Sequence, residues 1–345
     1  MDKVIVTGGC GYIGAHTIVD LISKDYYVIS IDDNSKSDPK ILEGIQQITG
    51  KKVKNYQVDL KDKKALFEVL NKHKDAMGII HFAAYKSVPE SVEKPLKYYS
   101  NNLVGLTNLL EGVSKFEIPN VVFSSSCSVY GNVAKLPVSE DTPMGVAESP
   151  YARTKQMGED ILRDYVKSFE GTNSKAVNVV LLRYFNPVGA HPSGIIGEIP
   201  LGVPNNLTPF ITQTAIGIRE KVTVFGNDYA TRDGSGLRDY IHVMDIADAH
   251  TKALQYLKEK PLTQNPEVFN LGTGNGVTVL EMIKAFEKVS GKPLNYVIGP
   301  RRPGDIEAIY ADNQKAIREL GWKIQYNIDD MMDAAWKWEQ KFRRG

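Results

Sequence analysis

The stretch VTGGCGYIGAH (residues 6–16) carries three glycines at the spacing G-x-x-G-x-x-G, and it follows the apolar run KVIV almost at the start of the chain. A pattern typical of a helix comes directly after it. Two interpretations are open at this point. The glycines form either a tight turn between a strand and a helix, or a cradle in which the N–H groups and dipole of the helix hold a phosphate group.

The chain around this stretch alternates between short β-branched apolar runs and helical patterns. Such alternation predicts βαβ units and a parallel sheet that is buried on both faces. The predicted strands are residues 3–7, 27–31, 53–58, 77–82, 120–125 and 178–185, and the predicted helices are residues 12–23, 62–74, 95–115 and 151–169.

An acidic residue, Asp32, ends the second predicted strand, YVISI. A carboxylate at this place accepts hydrogen bonds from the ribose hydroxyls of an adenosine and repels a 2′-phosphate. A different interpretation is that Asp32 only caps a helix or a turn. Taken with the glycines, it favours a dinucleotide cradle, and NAD rather than NADP as the cofactor. Asp59, after the third strand, and HFAAYKS (residues 81–87), after the fourth, are further candidates for cofactor contacts.

The character of the chain changes after Phe185. Residues 186–209 are rich in Pro, Gly and Asn and predict a long functional loop. We expect an α/β protein with a Rossmann-like doubly wound parallel sheet and a smaller, mixed C-terminal substrate domain. Residues 1–185 form the predicted NAD-binding domain, to which a segment near 240–250 returns, and residues 186–345 form the second domain. The elements predicted there are helices near 208–219, 245–258, 279–290 and 328–342 and the strands VTVFG and EVFNLG.

The stretch SPYARTK places Tyr151 and Lys155 one helical turn apart on the same face. A phenol is a weak base at neutral pH, and a nearby ammonium together with a positive nicotinamide ring would favour the phenolate and lower its pKa. Ser126, in FSSSCSVYG at the end of the fifth strand, is placed to hydrogen-bond a substrate hydroxyl. The same residues are also compatible with an ordinary solvated helix face and a serine that caps its own turn.

Composition excludes several classes of function. The 345 residues carry a net charge of +1, so no overall field attracts nucleic acid or an anionic membrane. No apolar run reaches the roughly 18 residues of a membrane span. The histidines show no metal-ligand spacing, and two cysteines are too few for a disulfide framework. We therefore expect a cytoplasmic protein without a metal.

Seven motifs together resemble the UDP-galactose 4-epimerase family, a branch of the extended short-chain dehydrogenases/reductases. The resemblance runs essentially from end to end, and the later motifs are the more specific ones. They are TGGCGYIGAH, FSSSCSVYG, YARTK, LRYFNPVGAHPSG, PNNLTP, FGNDYATRDGSGLRDYIHV and PRRPGD.

The resemblance implies NAD as the cofactor, a UDP-sugar as the substrate, and a homodimer formed by the helices near 95–115 and 151–169. It implies Ser126, Tyr151 and Lys155 as the catalytic set. The implied cofactor contacts are Gly8, Gly11, Tyr12, Ile13, Gly14, Asp32, Asn34, Asp59, Leu60, Phe82, Ala83, Lys86, Asn101, Ser124, Tyr151, Lys155 and Tyr184. The implied substrate contacts are Lys86, Ser126, Tyr151, Phe185, Asn186, Asn206, Leu207, Thr223, Phe225, Arg238, Tyr240, Arg302, Asp305 and Ile309.

The family's chemistry is transient oxidation at the sugar C4, rotation of the 4-keto sugar, and return of the hydride to its other face. A 4,6-dehydratase on the same scaffold carries Asp-Glu before VYG, where this chain has Cys127 and Ser128. A thiol and a hydroxyl cannot supply that second acid/base pair, so the dehydratase is rejected. A reductase that exchanges free cofactor is a weaker alternative. Intact Ser126, Tyr151 and Lys155 argue against a catalytically silent scaffold. Ile309 stands where many bacterial epimerases have a tyrosine, so we expect partial tolerance of UDP-N-acetyl sugars, unless Ile309 only packs.

Overall fold

A seven-stranded parallel sheet forms the centre of the molecule. The computed structural model describes residues 1–172, 175–200, 202–204, 206–260, 262, 265–302 and 306–344. The strands of these residues are β1 (Lys3–Thr7), β2 (Tyr27–Ile31), β3 (Lys54–Tyr56), β4 (Gly78–His81), β5 (Asn120–Ser126), β6 (Asn178–Tyr184), β7 (Asn186–Val188), β8 (Val222–Phe225), β9 (Leu237–Arg238), β10 (Tyr240–His242), β11 (Glu267–Leu271), β12 (Val277–Thr278), β13 (Tyr296–Gly299) and β14 (Ala308–Ile309).

The helices flank this sheet and build most of the C-terminal part of the chain. They are α1 (Tyr12–Ser23), α2 (Ile41–Thr49), α3 (Lys63–Lys72), α4 (Val88–Glu93), α5 (Pro95–Lys115), α6 (Pro150–Lys167), α7 (Leu207–Ala215), α8 (Val243–Glu259), α9 (Val279–Ser290), α10 (Gln314–Leu320) and α11 (Ile328–Arg344). A 3-10 turn, Cys127–Tyr130, follows β5 directly.

The strand order of the main sheet is β11-β6-β5-β4-β1-β2-β3, and every neighbouring pair is parallel. The chain winds from β1 outward to β3 and then crosses to β4 on the other side of β1. Since all strands run the same way, their carboxyl ends meet at one edge, and the reversal between β1 and β4 creates a crevice there. The predicted Rossmann-like doubly wound sheet is confirmed.

Helix α8 and strand β11 join this sheet from the later part of the chain. Lys24, the C-cap residue of α1, binds Asp20 of that helix at 2.8 Å and Asp248 of α8 at 2.6 Å. The Thr251 hydroxyl donates to Asp20 at 2.5 Å, which ties the two helices further. Strand β11 pairs with β6 along its full length. The sequence predicted that a segment near 240–250 returns to the first domain, but it did not predict that β11 joins the main sheet. That pairing was missed because β11 and β6 are far apart in the sequence.

A smaller layer lies beside the carboxyl edge. Its strands form the pairs β7–β10 and β8–β13 and the three-stranded sheet β12-β9-β14. A separate apolar cluster of α7, α9 and α11 holds this layer together, with Ile211, Met282, Phe286, Met332 and Trp336 among its buried members.

The predicted elements of the central sheet are confirmed, with differences at their ends and in the loops. Strand β3 is shorter than predicted. The predicted loop 186–209 contains β7 and the first turn of α7, because Asn186–Val188 pairs with β10. Helices α2, α4 and α10 were not predicted. All three are short. Helices α4 and α10 contain few apolar residues, and α4 is marked mainly by its Ser87 cap. Helix α2 carries Ile41, Ile45 and Ile48 at helical spacing, a signal that the prediction missed.

Candidate active site

The glycine turn lies at the switch point of the sheet, between the carboxyl ends of β1 and β4. Gly8 has a φ of +71°, and a Cβ at this position would stand 2.8 Å from the Ala83 nitrogen. A side chain would therefore push the two strand ends apart. Only glycine allows the first turn to approach the loop after β4 this closely.

The same turn folds onto the start of helix α1. The Gly11 N–H donates to the Gly8 carbonyl at 3.1 Å, and a Cβ on Gly14 would stand 2.2 Å from that oxygen. Gly11 is the N-cap residue and no side chain caps the helix there. A helix N-terminus without a side-chain cap, reached through a turn in which Cys10 is buried and the other residues are glycines, fits a pyrophosphate group such as that of a dinucleotide.

Asp32 joins the end of β2 to this turn. Its carboxylate accepts hydrogen bonds from the N–H groups of Cys10 at 3.0 Å and Asn34 at 2.9 Å, and from the Ser37 hydroxyl at 2.9 Å. Burial raises the pKa of Asp32, and these hydrogen bonds oppose the shift. Asp32 thus holds a turn of its own, as the capping interpretation expected, and it also fixes the glycine turn.

The end of β5 carries the predicted catalytic serine. The Lys155 ammonium donates to the Ser124 carbonyl at 2.5 Å, and the Ser124 and Tyr184 hydroxyls are 2.5 Å apart. Ser126 accepts a hydrogen bond from the Ser128 N–H at 3.2 Å. The structure therefore brings Ser124, Ser126 and Lys155 together in one buried group.

Tyr151 lies beside this group, at the start of α6. Burial raises its pKa, the nearby Tyr184 adds to the rise, and a hydrogen bond with Ser126 opposes it. The sequence-based expectation of a lowered pKa included a positive nicotinamide ring, so burial in the ligand-free chain acts in the opposite direction to that expected effect. The Lys155 ammonium donates to a backbone carbonyl, and burial lowers the pKa of Lys155 itself to about 8. Burial therefore favours the neutral form of both side chains in the ligand-free chain.

A second lysine, Lys86, connects the loop after β4 with Glu198, which precedes α7. Its ammonium lies 2.9 Å from Glu198 Oε1, and the Asn206 amide donates to the same oxygen at 3.0 Å. The Tyr12 hydroxyl donates to the Gly189 carbonyl at 2.7 Å. The predicted contacts Lys86 and Asn206 thus meet at Glu198, and the Lys86 ammonium lies 5.7 Å from the centre of the Tyr12 ring.

The aromatic and basic residues of the C-terminal layer form another group. The Arg302 guanidinium lies over the Phe225 ring, 4.8 Å from its centre, and Phe225 is 37% exposed. Arg238 donates to the Leu237 carbonyl at 2.8 Å. Its positive charge acts on the Cys127 thiol, whose pKa burial raises to about 12, so Arg238 reaches the end of β5. Asp305 lies outside the described residues.

The remaining predicted contacts lie at the edges of this region. Asp59 accepts a hydrogen bond from the Lys61 N–H in an exposed turn beyond β3, and Asn101 donates to Asn102. Thr223 lies in β8 opposite Val297, and Ile309 is buried with Phe185. Ile13, Asn34, Leu60, Phe82, Ala83, Asn186, Leu207 and Tyr240 lie in or directly beside the strand ends and helix starts described above.

Sequence reasoning missed several polar residues that hold the site. Buried Glu159 binds Arg183 at 2.6 Å and accepts from Ser125 at 2.5 Å. Asn102 pins the loop after β4 by bonding the Tyr85 N–H and carbonyl at 2.8 and 3.1 Å. Asp239 accepts four hydrogen bonds, from Thr273 twice, Gly274 and Ala311. Of these residues, only Glu159 could have been found from the sequence, because it lies one helical turn after Lys155 in α6.

Metal-ligand clusters and membrane-spanning helices are both absent from the described part of the chain. Within it, no group of three His, Cys, Asp or Glu side chains is arranged to hold a metal ion. None of the helices in these residues combines the length and apolar character that crossing a membrane requires.

A doubly wound sheet with a glycine turn at its switch point, and a Tyr-x-x-x-Lys pair beside the neighbouring strand, is the arrangement of the extended short-chain dehydrogenases/reductases. The chain is a member of this class. The protein-family model described as GDP-mannose 4,6 dehydratase matches residues 5–335.

Individual relatives are more specific. The chain is 49% identical to UDP-glucose 4-epimerase 2 of Arabidopsis thaliana over 340 residues, which cover 97% of this chain and 94% of that protein. It is also 49% identical to UDP-glucose 4-epimerase of Bacillus subtilis (strain 168) over 337 residues, or 97% of this chain and 96% of that protein.

Solved structures agree. The crystal structure of UDP-glucose 4-epimerase from Stenotrophomonas maltophila, with bound NAD and formylated UDP-arabinopyranose, superposes with a TM-score of 0.94 at 42% identity and covers 100% of this chain and 99% of that chain. The enzyme from Bifidobacterium longum, in complex with NAD+ and UDP, gives 0.92 at 46% identity, with 99% of each chain covered. The chain belongs to the UDP-glucose 4-epimerase family.

The buried Lys155 ammonium should leave a signature in the pH dependence of stability. Its pKa is about 8 in the folded chain and 10.5 ordinarily, so between these values the unfolded chain binds more protons and stability rises with pH. The unfolding free energy of the ligand-free wild type, minus that of Lys155→Met, should increase by about 1–2 kcal/mol between pH 8 and 9.5. Urea unfolding at several pH values measures this difference, and a flat difference would contradict the buried charge.

Proposed function

We propose that this chain interconverts UDP-galactose and UDP-glucose, as an NAD-dependent 4-epimerase. The observation that carries the proposal is the buried group of Ser124, Ser126, Tyr151 and Lys155 beside a glycine cradle at the switch point. Oxidation and reduction at one carbon need a proton acceptor next to a hydride acceptor, and this group adjoins the place where a dinucleotide fits. The names of the relatives support the same reaction.

The cofactor we propose is NAD, held by the glycine turn, Asp32 and the loop after β4. When bound, NAD would supply the acceptor for the hydride of the sugar C4 and the donor for its return. The three hydrogen bonds to Asp32 keep its carboxylate at the end of β2, where it favours free ribose hydroxyls over a 2′-phosphate. NAD in the structures of two relatives supports this choice.

Tyr151 takes the proton from the sugar O4 and returns it to O4 after the 4-keto sugar has rotated to present its other face. Ser126, which hydrogen-bonds Tyr151, holds the same oxygen and orients it. Lys155 is fixed by the Ser124 carbonyl, so its charge stays near the phenol instead of reaching solvent. A positive charge brought into this buried site lowers the pKa of Tyr151 and permits it to act as the base.

The UDP part of the substrate is gripped by the C-terminal layer. Phe225, stacked with Arg302, offers an aromatic wall for the uracil, and the guanidinium groups of Arg238 and Arg302 suit a doubly charged pyrophosphate. Ile309 lies on the sugar side, packed with Phe185. The other proposed substrate contacts are Asn186, Asn206, Leu207, Thr223 and Tyr240, together with Lys86 and Asp305.

The dehydratase alternative lacks its second acid/base pair, although the matching family model carries a dehydratase description. Cys127 and Ser128 stand where Asp and Glu are needed. Burial raises the pKa of the Cys127 thiol to about 12, so it stays neutral at physiological pH. A reductase would need a cofactor that leaves readily, and a silent scaffold would have no use for a buried lysine fixed next to Tyr151.

The epimerase reaction is tested with purified protein and UDP-galactose, without added cofactor. Proton NMR of the anomeric signals should show conversion to UDP-glucose until equilibrium is reached. Tyr151→Phe should lower kcat by about a thousandfold, because the proton acceptor is lost, whereas Tyr26→Phe, at the amino end of β2, serves as the control and should retain full activity.

Three outcomes separate these reactions. Conversion only after NAD is added would keep the epimerase reaction and refute a retained cofactor. Formation of a 4-keto-6-deoxy sugar would establish the dehydratase. Full activity of Tyr151→Phe would contradict the role of Tyr151.

We also propose the division into an NAD-binding part, residues 1–185 with the segment near 240–250, and a UDP-sugar-binding part formed by most of residues 186–345. Strand β11 belongs with the first part through its pairing with β6. A cytoplasmic location is proposed as well. Both cysteines of the chain are unpaired, which suits a reducing compartment.

Partial tolerance of UDP-N-acetyl sugars is proposed from Ile309, which is smaller than tyrosine. A 35% identical relative is described as the UDP-Glc/GlcNAc 4-epimerase of Campylobacter jejuni. The ratio of kcat/KM for UDP-galactose to that for UDP-N-acetylgalactosamine should stay below about 10⁴, the range of a site that truly excludes a group. Ile309→Tyr should raise the ratio and the control Ile309→Val should leave it unchanged. Equal ratios in all three proteins would show that Ile309 only packs.

A homodimer is proposed from the outer faces of α5 and α6. A groove of about 750 Å³ lies between them, lined by Phe67, Leu110, Ile161 and Tyr165 among others. A second copy of this chain would cover its apolar floor. Light scattering should give twice the chain mass of 38.3 kDa, and Ile161→Lys should give the monomer with unchanged circular dichroism. Ile324→Lys, on the loop before α11, should stay dimeric. A monomeric wild type would refute the proposal.

A further inference from the structure

Glu198 lies at a junction of segments that belong to opposite sides of the site. Its Oε1 atom is 2.9 Å from the Lys86 ammonium, which belongs to the loop after β4. The Asn206 amide donates to Oε1 at 3.0 Å and to Oε2 at 3.3 Å. One carboxylate therefore joins a residue of the proposed cofactor side to a residue of the proposed substrate side.

The backbone of Glu198 is anchored independently of its side chain. Its carbonyl accepts a hydrogen bond from Trp338 Nε1 of α11 at 3.0 Å. The charge of Glu198 also acts on Tyr12 at the start of α1, where it adds to the rise that burial causes in the pKa of the phenol. The backbone of Glu198 is thus anchored to α11, and its largely buried carboxylate lies near the start of α1, where it can hold more exposed side chains.

Burial shows which partner depends on the other. The Glu198 side chain is 18% exposed, whereas that of Lys86 is 56% exposed. A lysine with that much freedom loses about 2 kcal/mol of rotamer entropy when it is immobilised. Pairing with the Glu198 carboxylate orders the Lys86 side chain before a ligand binds, so less rotamer entropy is lost on binding.

We propose that Glu198 is a positioning residue that holds Lys86 and Asn206 in place for the pyrophosphate of the nucleotide sugar. The inference rests on the proposed function, and it adds a residue that contacts neither sugar nor uracil. Glu198 and Lys86 act as a neutral pair. The carboxylate orders the ammonium, and the ammonium in turn screens the approaching anion from the carboxylate.

The neutral pair predicts a reversal of sign in a double-mutant cycle. Glu198→Gln removes the charge that orders Lys86 but keeps an acceptor for Asn206, so binding of UDP weakens. Lys86→Gln leaves the Glu198 charge uncompensated beside the anion, so binding weakens more. Adding Glu198→Gln to Lys86→Gln then removes a repulsion, and the double variant binds UDP more tightly than Lys86→Gln alone.

The experiment uses the whole protein as purified and two readouts. Isothermal titration with UDP measures Kd, and steady-state kinetics with UDP-galactose measures KM and kcat. Glu198→Gln should raise both the Kd and the KM about tenfold, with kcat changed by less than about twofold. Glu198→Ala should raise Kd further, because Asn206 also loses its acceptor. Glu339→Gln is the matched control, since Glu339 is a buried carboxylate of α11 that binds Thr212 and Arg343 instead.

Each outcome decides one question. A wild-type Kd for UDP in Glu198→Gln would overturn the positioning role. So would a double variant whose change in binding free energy equals the sum of the changes in Glu198→Gln and Lys86→Gln. An equal loss in Glu339→Gln would reduce the effect to general destabilisation and overturn it too. Suppose that the wild type shows no epimerase activity, but Glu198→Gln alone weakens UDP binding and the double variant binds UDP more tightly than Lys86→Gln. The proposed function then fails and the role of Glu198 stands.

Discussion

The ion pair between Glu159 and Arg183, which are 0% and 3% exposed, holds the strand end on which the catalytic group is built. Ser125 donates to Glu159 at 2.5 Å. Successive residues of a strand point to opposite faces, so fixing Ser125 on one face sets the position of Ser124 and Ser126 on the other. Removing one partner of such a pair leaves an uncompensated buried charge and costs about 3–5 kcal/mol. The geometry around Lys155 and Tyr151 is therefore only as firm as this pair.

The cofactor side is built on the opposite principle, the absence of side chains. Gly8 and Gly14 leave no room for a Cβ, and the turn they form folds directly onto the N-terminus of α1. Asp32 then closes the arrangement from the neighbouring strand through the Cys10 N–H. Such a cradle is rigid because backbone contacts backbone. It needs no ordering of long side chains when an anion binds, in contrast to the exposed Lys86 of the loop after β4.

Local patterns predicted the sheet well, because strand and helix periods, the glycine spacing and the Tyr-x-x-x-Lys pair all lie within short stretches. The motif resemblance supplied most of the residues of the proposed site. Long-range partners were beyond reach. Nothing within EVFNL shows that β11 pairs with β6, nothing near Glu198 shows that it meets Lys86, and Asp239 gains its donors from residues 34 to 72 positions away. The rise that burial causes in the pKa of Tyr151 was also not predicted, since burial depends on the complete fold.

The effect of burial on Tyr151 and Lys155 bears on the proposed chemistry. Burial favours the neutral phenol at Tyr151 and brings the pKa of Lys155 down to about 8. The ligand-free chain therefore keeps the base inactive, and its own lysine does not reverse this. A positive charge entering the site favours the phenolate and disfavours the ammonium at the same time. In the proposed mechanism, activation of Tyr151 as the base is thus tied to occupancy of the cradle by the positively charged cofactor.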